Sequence, residues 1–126
     1  RKKDGGAGYY LHISPGECFT AAGVYRCDPK KLKELRREIS VNADEFKSII
    51  QDKNFRNFEF NNEKLSRVPQ GFEKDDPMAE YLKMKNLVVS QNIKDDDLMN
   101  TESVKFVAEN FRKMSKFVNF LNASFG

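Results

Sequence analysis

A chain of 126 residues suits one domain and can bury a core without metal or disulfide staples. At 39% hydrophobic and 33% charged residues it falls in the globular range rather than the disordered one, and the absence of any run of about 18 apolar residues excludes a membrane-spanning helix. The net charge, +3 from 22 Lys and Arg against 19 Asp and Glu, is too mild to point to nucleic acid.

Residues 1–8 are basic and then glycine-rich, and read as a flexible lead-in. Tyr9–Ser14 alternate as a strand does, with Tyr9, Leu11 and Ile13 on one face and Tyr10, His12 and Ser14 on the other. Pro15-Gly16 fits the centre of a type II turn, because Pro fixes φ and Gly supplies a positive φ. A tight turn sets His12 opposite Phe19 and Tyr10 opposite Ala21 in a second strand.

Asp28-Pro29 then predicts a helix start, with Asp28 as N-cap and Pro29 in the first helical position. Leu32, Leu35 and Ile39 form its buried stripe, and Lys30, Lys31, Lys33, Arg36 and Arg37 are assigned mostly to the polar side. Asn42 followed by Glu45 marks a fresh start or a continuation through Phe46, Ile49 and Ile50, ending near Asp52. Residues 53–75 read as irregular but packed, because they carry Phe55, Phe58, Phe60 and Phe72. Within them Val68-Pro69-Gln70-Gly71 predicts a turn.

Asp76-Pro77 repeats the cap-and-proline device before a short helix with Met78, Tyr81 and Leu82. Asn86–Ile93 predicts a strand, with Leu87 and Val89 on one face and Val88 on the other. Lys94-Asp95-Asp96-Asp97 is a polar break. The last helix is the clearest element: Val104, Val107, Phe111, Met114, Val118, Leu121 and Phe125 recur at spacings of three and four. Phe106, Phe117 and Phe120 add a second apolar stripe. That stripe predicts cover from a homo-oligomeric partner or an N-terminal segment. The expected fold is α+β: a small antiparallel sheet, made of the N-terminal hairpin plus a later strand, packed against three to four helices, with the long C-terminal helix across it.

Gly-Tyr-Tyr-Leu-His-Ile-Ser-Pro-Gly (8–16), Ala-Gly-Val-Tyr (22–25), Leu-Lys-Glu-Leu-Arg-Arg-Glu-Ile (32–39), Leu-Ser-Arg-Val-Pro-Gln-Gly-Phe (65–72) and Tyr-Leu-Lys-Met-Lys (81–85) occur in that order. Together they resemble the bacterial and fungal family known as domain of unknown function 2461. The resemblance implies that residues 1–126 are one domain, corresponding to the C-terminal part of a longer family member, as the opening Arg1 also suggests. The family often shows a glycine run where Ala21-Ala22-Gly23 stands and Asp-His-Pro where Asp75-Asp76-Pro77 stands, so a site built on that histidine is missing here. The resemblance brings no activity with it.

His12, the one histidine, is the candidate general acid/base, with Tyr10 or Glu17 assisting in a hydrolase-type reaction. The competing reading is a half-buried strand histidine with a backbone partner. Arg67 is the preferred anion ligand because its guanidinium grips a carboxylate or phosphate with two bonds. Lys64, Lys74, Lys83 and Lys85 flank it, with helix N-terminal amides adding to the site.

The sequence-level proposal is a groove between the hairpin and the 65–72 loop in which Tyr10, His12, Arg67, Lys83 and Lys85 take an anionic small molecule or partner. A hydrolase using His12 and an assembly domain using the Phe-rich helix are the alternatives. No metal site or cofactor is expected, since one His and two Cys offer no zinc spacing. Cys18 and Cys27 lie about 30 Å apart in a straight strand at ~3.3 Å per residue. Reduced thiols and a cytoplasmic setting are therefore expected.

Overall fold

In the computed structural model, residues 6–61 and 63–123 are described. Strands β1 (Gly8–His12) and β2 (Cys18–Val24) form the expected hairpin, with Tyr10 opposite Ala21 and His12 opposite Phe19. The turn closes with the Glu17 N–H donating to the Ser14 carbonyl at 2.8 Å, and Gly16 sits at φ 77°, where a side chain would be strained. Asp95 clamps this turn from outside: its two carboxylate oxygens accept from the Gly16 N–H at 3.2 and 3.0 Å. The buried Cys18 thiol lies 3.4 Å from the same carboxylate.

Helix α1 (Pro29–Val41) has Pro at its start as expected, but the Asp28 side chain makes no capping bond. Helix α2 (Ala43–Ile50) is a fresh start after Asn42. The long segment that follows is less irregular than its composition suggests. It holds one 3-10 turn (Lys53–Phe55) and a two-residue strand, β3 (Glu59–Phe60), too short to show alternation. After α3 (Ala79–Leu82) comes β4 (Leu87–Ile93), then a 3-10 turn (Asp95–Leu98) and the twenty-residue helix α4 (Ser103–Asn122). The fold is α+β with an antiparallel sheet in the order β1-β2-β4-β3.

Cross-strand partners share a face. Tyr9, Ala22, Val89 and Phe60 therefore lie on one face, together with the Val24–Leu87 pair and Thr20. Helix α4 packs on that face: the Tyr9 and Phe111 rings meet at 5.1 Å. The Thr20 hydroxyl donates to the Asn110 amide oxygen at 3.2 Å, and the Asn110 amide nitrogen donates to the Phe106 carbonyl. Among the described residues, Thr20 and Asn110 are the buried polar ones. Thr20→Val keeps the shape but leaves the Asn110 oxygen buried without a donor. We expect a loss of about 1–3 kcal/mol, seen as a lower urea midpoint with an unchanged slope.

Three expectations need correction. Residues 6–8 are not a flexible lead-in: Gly8 begins β1, and Ala7 is buried, its N–H donating to the Asn122 side chain at 2.8 Å. Residues 1–5 lie outside the described residues. The Phe117 and Phe120 stripe awaits no partner, because α2 and the 53–60 segment already cover it. Phe120 meets Phe46 at 5.4 Å, and Phe117 meets Phe55 and Phe60, each at 5.7 Å. Phe106 is half-buried. The α4 seam frays instead at its N-terminal end, where Val104 is 79% exposed. Phe125 lies outside the described residues. Among the described residues no helix is long and apolar enough to cross a membrane.

Candidate functional site

His12 and Arg67 do not share a hollow. His12 pairs with Phe19, which pairs with Asn92 near the far end of β4. The 65–72 loop starts beyond the opposite end, where the Leu65 N–H donates to the Lys83 carbonyl. Leu87–Asn92 alone spans roughly 16 Å, and the sheet's width of three strand spacings adds about 14 Å sideways. The two side chains therefore stand on the order of 20 Å apart or more. His12 is exposed on β1 and stacks on Phe19 with ring centroids 4.8 Å apart. Tyr10 is half-buried, its ring edge-on to Tyr25 at 6.3 Å. Ala22 lies on the core face, opposite to His12.

The basic residues around the 65–72 loop do converge, though not all of them. A cleft of about 550 Å³ is lined by Ser66, Arg67, Val68, Lys74 and Lys83. Lys85 is not part of it; its backbone N–H donates to Glu63. Arg67 and Lys74 are exposed and form no ion pair among the described residues. Lys83 is partly neutralised, because its ammonium lies 3.0 Å from Glu80, which also meets Lys64 at 3.4 Å. Hydrogen bonds from Lys83 and then Lys64 hold the Glu80 carboxyl below its usual value. Glu80 therefore remains a charged competitor at neutral pH.

The local sequence explains this geometry. The Phe72 N–H donates to the Pro69 carbonyl at 3.2 Å, so the turn closes on Pro69-Gln70-Gly71-Phe72, one residue later than the spacing suggested. That reversal sends the chain back toward Lys74. The Asp76 carboxylate is engaged within the chain: it accepts from the Ser40 hydroxyl at 2.6 Å and from the Met78 N–H at 2.7 Å. Those bonds staple α1 to the start of α3. Helix α3 has only four residues, so the expected contribution from its N-terminal amides falls away.

A second basic cleft, of about 570 Å³, lies on α1's side of the same loop, lined by Pro29, Lys33, Arg36, Pro69, Gln70, Gly71 and Phe72. Sequence reasoning missed it by assigning Arg36 to the polar side of α1. The signal was present: position 36 is four residues after Leu32 and three before Ile39, and so belongs on the buried stripe. The guanidinium is half-buried and donates to the Met84 carbonyl at 2.9 Å, while its Nε is buried without a partner. Burial pushes its pKa down from the ordinary value.

Both cysteines are free thiols. Burial, then Asp28, raises Cys27 above the usual thiol range, against the pull of Lys31 and Arg36. That disfavours a nucleophilic thiolate. Among the described residues no group of three or more His, Cys, Asp or Glu side chains is placed to hold a metal ion.

The family described as "Conserved hypothetical protein (DUF2461)" matches residues 1–120. The match thus runs through every strand and nearly all of α4, and covers all five segments that carried the resemblance. No curated protein and no solved structure matches the chain.

Proposed function

The chain belongs to the DUF2461 family of conserved hypothetical proteins, and we propose that it works as a binding module for a small anionic ligand at the 65–72 loop. The observation that carries this reading is the convergence of Arg67, Lys74 and Lys83 on one cleft, with Arg67 and Lys74 lacking acidic partners among the described residues. A guanidinium and an ammonium within one concavity bind a carboxylate or phosphate through charge-assisted hydrogen bonds. Arg67 supplies the planar fork, and the lysines supply point charge. His12 and Tyr10 stand outside this site, so the reading needs no acid/base chemistry from them.

The test is a titration with inorganic phosphate at low salt, followed by amide NMR. Shifts should concentrate at Ser66, Arg67 and Val68. Arg67→Gln should weaken binding about tenfold, the effect of losing one good charge-assisted contact. Glu80→Gln should strengthen it several-fold, because Lys83 loses its competitor. The same release follows in wild-type protein when pH falls through the Glu80 titration. That group's value is lowered, so the gain comes only below the usual glutamate range and is absent at neutral pH. Shifts that survive Arg67→Gln unchanged, or phosphate binding that ignores Glu80→Gln, would refute the site.

A further inference from the structure

The cleft on the α1 side of the loop differs in kind from the Arg67 cleft. Its walls are Pro29, Pro69 and Phe72, and its polar groups are Arg36, Lys33 and Gln70. From this geometry we infer a second site, for a small carboxylate with a flat apolar body, bound with its carboxylate on Arg36 and its body against Phe72 and the two prolines.

Three observations support this. First, Arg36 is a half-buried cation with no ion pair among the described residues. A desolvated guanidinium without a counter-ion is costly, and an incoming anion relieves that cost. Second, Arg36 is positioned before any ligand arrives: one amino nitrogen is fixed on the Met84 carbonyl, so little side-chain freedom remains to be lost on binding. Third, the cleft joins an apolar lining to a few convergent polar groups at a volume that suits a small molecule. The exposed Lys33, one turn before Arg36 on α1, adds a second positive charge at the mouth. The Arg67 cleft has no such apolar walls, apart from Val68, and suits a compact anion instead.

The inference stands or falls apart from the Arg67 reading, since each cleft has its own arginine. The probes are benzoate and its neutral isostere benzamide, titrated into the full chain and followed by amide NMR. Benzoate should bind in the millimolar range and shift Gln70, Gly71 and Phe72. Benzamide should bind at least about tenfold more weakly, because it lacks the charge that Arg36 would meet. Lys33→Gln, an exposed change that leaves the core untouched, should weaken benzoate several-fold. Arg36→Gln should abolish the shifts at 70–72, whereas Arg67→Gln should leave them intact. Should Arg36→Gln fold poorly, the Lys33→Gln result and the benzoate-to-benzamide ratio still decide the matter. Equal binding of the two probes, no perturbation at 70–72, or an unchanged response in Lys33→Gln would overturn the site.

Discussion

Gly23→Ala should cost about 3 kcal/mol or more, among the largest effects of any single methyl group in this chain. Gly23 lies in the inner strand β2 at φ 138°, opposite Gly8 on one side and Val88 on the other. A Cβ built there falls 2.0 Å from the Leu87 carbonyl oxygen and 2.8 Å from the Val88 Cα. Both obstacles are backbone atoms of the paired strand β4, so no side chain can swing aside. Relief requires breaking the β2–β4 ladder where Gly23 pairs with Val88. Gly16→Ala is the internal control. Its φ is also positive, at 77°, but nothing lies within 4 Å of the added atom. It should cost only the left-handed backbone penalty, about 1 kcal/mol. Urea unfolding of the two variants checks the contrast. Equal losses would mean that the Gly23 contact relaxes and that the ladder there is pliable.

The second large effect is expected for Phe117→Ala, at about 3–5 kcal/mol. Phe117 is fully buried and meets the Phe55 and Phe60 rings. Those rings continue to Phe58, Tyr81 and Phe46, and Phe46 meets Phe120. One connected group of aromatic rings thus ties α4, α2, β3 and α3 together. Truncating Phe117 opens a cavity that stiff ring neighbours cannot fill. Phe106→Ala, on the half-buried end of the same stripe, should cost much less. The measurement is thermal or urea unfolding combined with light scattering. A stripe that served as an interface between copies would show the opposite pattern, with altered association and little change in stability.

The hairpin and its register were legible, although its first strand runs Gly8–His12 rather than Tyr9–Ser14, because Pro15-Gly16 marks the corner and a strand of period two keeps its faces only in matching register. Helix α4 and the faces of β4 were legible for a related reason: both are long enough to show their period. β3 was not, since two residues cannot display alternation. It exists because the edge of β4 needed partners for its backbone groups. Local signals also misled at Asp28, whose side chain caps nothing, and at Asp95, read only as part of a polar break although its carboxylate holds the hairpin corner.

The candidate site divides along the same line. The sequence placed Lys64, Arg67, Lys74, Lys83 and Lys85 close along the chain around one loop, and of these the structure brings Arg67, Lys74 and Lys83 to the lining of one cleft. Only the tertiary structure decided that His12 stands apart from them, because a sheet order of β1-β2-β4-β3 puts the hairpin and the loop on opposite edges. It alone also decided that Arg36 faces that loop. Side-chain periodicity fixes which residues share one face of one element, whereas which elements meet is set by how their apolar faces pack. That packing turned the Phe117 stripe inward and drew a guanidinium from α1 into a cleft with Pro69 and Phe72.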